Sequence, residues 1–129
     1  FIDTNVLLYL ASNDTAKSDR AEALLAPGGT ISVQVLNEIA NVGRRKMALS
    51  WTELYSFLGT FRSLLDVKPV TIATHEQGLA IAERYGLPTF DALIVASALD
   101  ADCDQLWSTD MHHGLVVETR LRIENPFRA

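Results

Sequence analysis

The chain has 129 residues, of which 48% are hydrophobic and 21% are charged, and its net charge is −5 at pH 7. This length suffices for one domain with a sizeable core and is too short for two, and no stretch approaches the roughly 18 uninterrupted apolar residues of a membrane span. The acidic balance disfavours nucleic-acid binding through one broad basic face, but it is compatible with an enzyme whose positive charge comes from metal ions.

Cysteine usage and the chain start bear on the compartment. The single cysteine, Cys103, excludes an internal disulfide and a zinc site built from cysteines, so we expect a reducing, cytoplasmic location without membrane attachment. No signal peptide is recognisable. Because the sequence begins at Phe1 and not at methionine, we expect a few residues of the natural chain to precede it.

Short β-like runs alternate with helical patterns, and no repeat or linker separates them. The first half predicts the end of a strand at 1–2, helices over 5–12 and 16–26, a strand at 30–33 and a helix over 36–49. A capping box formed by Ser50 and Glu53 predicts a further helix to about residue 65.

The second half continues this alternation. It predicts a strand at 69–72, a helix that begins at Thr74 and ends at Gly86, and strands at 105–109 and 121–123. The run over 90–99 is apolar nearly all round and too long for a typical strand, which indicates a central, buried helix.

Strands separated by helices imply parallel pairing, so the predicted architecture is an α/β fold, a three-layer α/β/α sandwich around a mostly parallel sheet in one domain over 1–129. Ligands of such sheets bind at the carboxyl ends of the strands. Four acidic residues far apart in sequence are expected to meet at that edge: Asp3, Glu38, Asp91 and Asp110.

Each acidic residue also has a purely structural interpretation. Asp3 is suited to cap a helix, Asp91 to complement a helix dipole, Asp110 to begin a turn, and Glu38 to lie on a solvated helix face. One shared cause accounts for all four positions more simply than four separate ones.

A cluster of carboxylates needs either protons or a cation. At an effective dielectric constant near 20, two carboxylates about 4 Å apart repel by roughly 4 kcal/mol. An all-oxygen cluster suits Mg²⁺ or Mn²⁺, and such ions stabilise in-line displacement at phosphorus. The chemistry indicated is phosphodiester hydrolysis.

Four segments carry a family resemblance, in this order: Phe-Ile-Asp3-Thr-Asn5, Val-Leu-Asn-Glu38, Pro-Thr-Phe-Asp91-Ala and Ser108-Thr-Asp110-Met-His-His-Gly. Together they resemble the PIN-domain nucleases, and the similarity is closer to the VapC-type toxins of prokaryotic toxin–antitoxin pairs. The resemblance extends over nearly the whole chain.

The resemblance implies a function and a site. The chain would be a metal-dependent endoribonuclease that leaves 5′-phosphate and 3′-hydroxyl ends, and a toxin held by a cognate antitoxin protein, with a homodimer expected. Asp3, Glu38, Asp91 and Asp110 would hold one or two Mg²⁺ ions, supported by Asn5 and Ser108. Thr109 stands where many relatives carry another acid, which leaves the number of ions open.

Two further features leave alternatives open, and a third is excluded. The basic run Arg44-Arg45-Lys46 would hold an RNA backbone or simply form the solvated end of a helix. The aromatic residues of 51–61 exceed what a solvated helix requires, so some should pack in the core and others should contact an antitoxin or a second copy. Asp100, Asp102 and Asp104 have the spacing of the first ligands of a calcium-binding loop, but the residues at the later positions of that loop do not match, which excludes it.

Two other functions compete with this interpretation. One is a PIN-like binding module without catalysis, and the other is a DNA-directed nuclease or a phosphatase. Metal-dependent cleavage of RNA, compared with DNA and phosphomonoesters, separates all three.

Overall fold

The computed structural model describes residues 1–128. Its helices are α1 (Thr4–Leu8), α2 (Thr15–Leu25), α3 (Val33–Arg45), α4 (Trp51–Leu64), α5 (Ile72–Tyr85) and α6 (Thr89–Asp100), and a 3₁₀ turn spans Tyr9–Ala11. Its strands are β1 (Thr30–Ser32), β2 (Asp66–Lys68), β3 (Gln105–Trp107), β4 (Val116–Val117) and β5 (Leu121–Glu124). No helix in this range is long and apolar enough to cross a bilayer.

The strands form two groups that the first residues of the chain join. β1 pairs in parallel with β2, while β5 pairs in parallel with β3 and antiparallel with β4. Between them, the Ile2 N–H donates to the Thr30 carbonyl at 3.1 Å and the Asp3 N–H donates to the Trp107 carbonyl at 2.9 Å. The result is the predicted α/β/α fold with a mostly parallel sheet.

Helix α6 lies in the interior, as its apolar sequence predicts. Its residues from Ile94 to Leu99 are all buried. Helix α5 packs closely along it, because a Cβ on Gly78 would come within 2.6 Å of the Leu93 side chain. This packing fixes α6, whose first turn carries Asp91.

The predicted strand at 69–72 is wrong. The strand in this region is β2, three residues earlier, and Thr71 caps α5 instead. The Thr71 hydroxyl accepts a hydrogen bond from the Thr74 N–H, and the Thr74 hydroxyl accepts one from the Thr71 N–H. The β-branched residues Val70, Thr71 and Ile72 favour a strand by propensity, but the reciprocal cap and the 79% exposure of Ile72 show that the helix prevails.

Other differences concern boundaries and one short strand. Helix α3 starts at Val33 and ends at Arg45, against the predicted 36–49, and Thr4, not Asn5, begins α1. The sequence did not predict β4, because two residues carry no periodic signal. The capping box of Ser50 and Glu53 is confirmed.

Candidate active site at the carboxyl edge of the sheet

Four different elements bring acidic side chains to one edge of the sheet. Asp3 follows the N-terminal segment directly, Glu38 lies in the second turn of α3, Asp91 lies in the first turn of α6, and Asp110 follows β3. They line one cleft of about 280 Å³, and the residues of its wall are Asp3, Thr4, Asn5, Glu38, Asn41, Val42, Asp91 and Asp110.

Asp3 is the buried member of the group, with 5% of its surface exposed. One carboxylate oxygen accepts from the Thr4 N–H at 2.7 Å, and the other accepts from the Ser108 hydroxyl at 2.8 Å. The pKa of Asp3 is raised to about 6, chiefly by burial; the two hydrogen bonds lower it, and the charges of Glu38 and Asp110 add to the rise. Asp3 therefore caps α1 and also faces the cleft.

Ser108 connects Asp3 to the turn that carries Asp110. It is fully buried, and its hydroxyl oxygen accepts from the N–H groups of Asp110 at 3.3 Å and Met111 at 3.4 Å. The same hydroxyl donates to Asp3. Ser108 thus contacts both the Asp3 carboxylate and the backbone of the turn that carries Asp110.

Glu38 is held from two sides. The Thr4 hydroxyl donates to one of its oxygens, and the Gln34 amide donates to the other at 3.3 Å. The Gln34 amide also donates to the Phe90 carbonyl at 3.1 Å, which links α3 to the start of α6. Thr4 and Gln34 were not predicted from the sequence, although Gln34 lies one helical turn before Glu38.

Asp110 and Asp91 complete the acidic wall. The Asn5 amide donates to one oxygen of Asp110, and the Thr109 hydroxyl donates to the other at 3.2 Å. Partial burial raises the pKa of Asp91, and the negative charges of Asp110 and Glu38 raise it further. Like charges therefore act on one another across the cleft.

The donor set fits a hard divalent cation. Four carboxylates and the amide oxygen of Asn5 supply only oxygen ligands, which Mg²⁺ and Mn²⁺ prefer. Within residues 1–128, no three side chains of the His, Cys, Asp or Glu type stand close enough together to hold a metal ion as they are placed. Instead, hydroxyl and amide donors hold Asp3, Glu38 and Asp110 individually.

Helix α3 contributes two more residues that sequence analysis did not single out, Asn41 and Val42. They lie three and four positions after Glu38, and this spacing on a helix would have indicated both. The basic run Arg44-Arg45-Lys46 does not line the cleft. The Arg44 side chain donates to the Leu49 carbonyl at 2.7 Å and lies 4.2 Å from the Trp51 ring centre. RNA contact by this run stays a prediction.

The aromatic residues of α4 divide as expected. Phe61 is fully buried, and Phe57 packs edge-on against it with ring centres 4.8 Å apart. Trp51 and Tyr55 are 56% and 68% exposed. Tyr55 lines a groove of about 680 Å³ between α3 and α4, together with Val33 and Leu36.

A family model agrees with these observations. The model of the PIN domain matches residues 1–114, which is most of the chain. No curated protein gives a match.

Three solved structures share the fold. A toxin–antitoxin complex from Klebsiella pneumoniae is 18% identical with a TM-score of 0.75, and the match covers 99% of this chain and 98% of that one. VapC20 from Mycobacterium tuberculosis, a toxin that cleaves the sarcin–ricin loop, is 20% identical with a TM-score of 0.68 over 85% and 88% of the two chains. VapBC2 from Rickettsia felis, bound to a promoter DNA fragment, is 20% identical with a TM-score of 0.63 over 96% of each chain.

Proposed function

Because the chain belongs to the PIN domain family, we propose that it is a metal-dependent endoribonuclease and the toxin of a toxin–antitoxin pair. The observation that carries this proposal is the convergence of four carboxylates, from four separate elements, on one cleft. We propose that one domain over residues 1–129 carries this function and that it acts in the cytoplasm.

Asp3, Glu38, Asp91 and Asp110 would hold Mg²⁺ or Mn²⁺. Such an ion, when bound, neutralises their charges, stabilises negative charge on phosphate oxygens and makes water a stronger nucleophile at neutral pH. The donor set described above supports this assignment.

The chain's own residues orient these carboxylates. Ser108 and the Thr4 N–H fix the two oxygens of Asp3, while the Thr4 hydroxyl and the Gln34 amide fix those of Glu38. Asn5 restrains Asp110. Since an acidic cleft repels a phosphodiester, binding of the substrate backbone depends on a cation within it. The proposal therefore requires that cleavage fail without divalent metal.

RNA as the substrate class is supported by the structural neighbours. One of them is a toxin that cleaves the sarcin–ricin loop, and two others come from toxin–antitoxin assemblies. We propose that this chain likewise cleaves RNA and is silenced by a cognate antitoxin protein.

The exposed apolar surface supports a protein partner. Trp51, Tyr55 and the groove between α3 and α4 present apolar side chains to solvent. A homodimer contact or an antitoxin helix would cover them.

The test is a side-by-side cleavage assay. The purified chain is incubated with single-stranded RNA, DNA of the same sequence and a phosphomonoester, in Mg²⁺, in Mn²⁺ and in EDTA. We expect cleavage of RNA alone, only with metal, and a loss of at least about 100-fold in Asp91→Asn, since asparagine keeps the shape but removes the charge. Asp104→Asn, an exposed acid outside the cleft, is the matched control.

Three results would contradict the proposal. Cleavage in EDTA would exclude metal dependence, and near-native cleavage by a folded Asp91→Asn variant would exclude the assigned site. Preference for DNA or for the phosphomonoester would favour one of the competing enzymes, and absence of all cleavage would favour a binding module.

A further inference from the structure

A second pocket adjoins the acidic cleft. Its volume is about 480 Å³, and Asn5 and Asp110 line both spaces. The remaining wall combines the aromatic ring of Tyr9 and the side chain of Met47 with small polar residues such as Ser12. We name this space the Tyr9 pocket. It is large enough for a nucleotide base, and it opens directly beside the carboxylates.

The Tyr9 ring is held in place before any ligand arrives. The Phe127 ring packs against it edge-on, with ring centres 4.8 Å apart. The Lys17 ammonium lies 4.8 Å from the Tyr9 ring centre and donates to its hydroxyl at 3.3 Å. An aromatic ring with fixed orientation loses little conformational freedom when a flat partner stacks on it.

Lys17 also provides a positive charge beside Tyr9, although it lines neither the pocket nor the cleft. No salt bridge engages its ammonium among residues 1–128. In a chain of net charge −5, a cation in contact with a wall residue of the pocket favours an anionic ligand that approaches from the side of Tyr9.

The geometry points to a base-binding subsite, an inference that rests on the proposed nuclease function. We infer that the Tyr9 pocket receives the base of a nucleotide next to the scissile phosphate of single-stranded RNA. The base stacks on Tyr9 and contacts Met47, and Lys17 binds a backbone phosphate. Stacking on aromatic side chains is a general mode of single-strand recognition, and it requires an unpaired base.

RNA suits this pocket better than a peptide does. A peptide side chain needs no continuity with the cleft, whereas a polynucleotide whose phosphate lies at the carboxylates must place its neighbouring base within one nucleotide of them. The shared walls Asn5 and Asp110 provide this continuity, and Lys17 matches the backbone charge.

The experiment separates base binding from phosphate binding. Fluorescence anisotropy in Mg²⁺ measures the affinity of the Asp91→Asn chain, which keeps the other three acidic residues of the cleft, for two labelled probes. One is a single-stranded RNA octamer of mixed sequence, and the other is an octamer of the same length that lacks its bases. We expect Tyr9→Leu to weaken binding of the first octamer about 10-fold, the loss typical of one stacking partner, and to leave the second nearly unchanged. Lys17→Gln should weaken both alike.

Two variants serve as matched controls. Tyr55→Leu makes the same substitution on α4, outside both spaces, and should change neither affinity. Tyr9→Phe keeps the ring and should retain base binding. If Tyr9→Leu does not fold, Met47→Ala replaces it on the opposite wall, with the same base-dependent loss expected.

Other outcomes would overturn the inference. These are equal losses on both octamers in Tyr9→Leu, no loss on either octamer in that variant, or no binding of either octamer by the Asp91→Asn chain. A further contradicting result is that Tyr9→Leu keeps normal RNA affinity but no longer copurifies with the protein encoded beside its gene. The pocket would then bind a protein partner. Cleavage is measured separately in the chain with Asp91 intact. Base-dependent binding without cleavage would contradict the proposed nuclease function but support the base-binding pocket. Cleavage together with binding that does not depend on Tyr9 would support the nuclease function but contradict the pocket.

Discussion

The carboxyl group of Asp3 couples the acidic cleft to the stability of the fold. Burial raises its pKa from 3.8 to about 6. Between these values the unfolded chain has released the proton while the folded chain still holds it, so the free energy of unfolding falls as pH rises through this window. The full loss of stability, on the order of 3 kcal/mol, is present above about pH 6.

We therefore predict that Asp3→Asn flattens the pH dependence of stability between about pH 4 and 6. Urea denaturation of the two proteins at several pH values measures the difference. Above this window, Mg²⁺ or Mn²⁺ should stabilise the chain with Asp3 more than the variant, because the ion binds the folded state. Parallel pH profiles for both proteins, with equal responses to metal, would contradict this prediction.

Two buried serines provide a second contrast. The Ser108 hydroxyl donates to the Asp3 carboxylate, whereas the Ser97 hydroxyl is buried with no hydrogen-bond partner among the described residues. A hydrogen bond to a charged group contributes about 1.5–3 kcal/mol, so Ser108→Ala should lower the free energy of unfolding by about that amount at pH 7.5. Ser97→Ala should be neutral or stabilising, because it removes an unsatisfied polar group.

Denaturation of both serine variants under one set of conditions tests this contrast. Ser108→Ala should also raise the pKa of Asp3, since it removes a bond that stabilises the charged form. Equal destabilisation by the two substitutions would mean that volume, and not hydrogen bonding, decides the effect.

At the scale of elements, the close packing of α5 on α6 makes the position of a glycine decisive. Gly78 faces Leu93, and an added Cβ would lie 2.6 Å from the end of that side chain and 3.4 Å from its Cα. Gly59 on α4 has no atom within 4 Å of such a Cβ. The same substitution should therefore have opposite effects at the two sites.

We predict that Gly59→Ala stabilises the chain by about 0.5–1 kcal/mol through helix propensity, while Gly78→Ala destabilises it by about 1–3 kcal/mol through overpacking. Because Leu93 lies two residues after Asp91, Gly78→Ala should also reduce cleavage. Thermal melts and RNA cleavage of both variants give the measurement. Stabilisation by Gly78→Ala would show that Leu93 yields without strain.

Elements with several agreeing signals were predictable from the sequence. Continuous apolar character identified α6, and the reciprocal pair Ser50 and Glu53 identified the start of α4. The strand predicted at 69–72 was wrong because β-branched propensity and a threonine cap give opposite signals there, and these exposed residues follow the cap.

The convergence of the acidic residues was predictable because Asp3 and Asp110 follow extended segments, Asp91 lies in the first turn of a helix and Glu38 lies in the helix after β1, all at one edge of a parallel sheet. Of the residues that orient them, Asn5 and Ser108 were expected from the family resemblance, whereas Thr4 and Gln34 were not. Gln34 lies one helical turn before Glu38, a spacing that could have indicated it. Thr4 contacts Glu38 across 34 positions of sequence, and no local pattern encodes such a pairing.

At the scale of the whole molecule, an unrestrained ribonuclease is a danger to the cell that makes it. The exposed aromatic residues Trp51 and Tyr55 offer a surface for a restraining protein, and the proposed function requires one. The prediction concerns growth. Expression of this chain alone in its host should stop growth and degrade RNA, and coexpression with the open reading frame next to its gene should restore both.

The decisive control is Asp91→Asn, which should be harmless when expressed alone but should still copurify with the neighbouring protein. Harmlessness tests the active site and copurification tests the partner, so the two properties are measured separately. Trp51→Ala combined with Tyr55→Ala should leave cleavage in vitro intact, because neither residue lines the cleft, and should weaken either rescue or dimer formation. Normal growth with the unaltered chain at a protein level that cleaves RNA in extracts would instead favour a housekeeping nuclease. A toxin must cleave an RNA that growth requires. A cell tolerates a housekeeping nuclease because growth does not require the RNAs that it cleaves to stay intact.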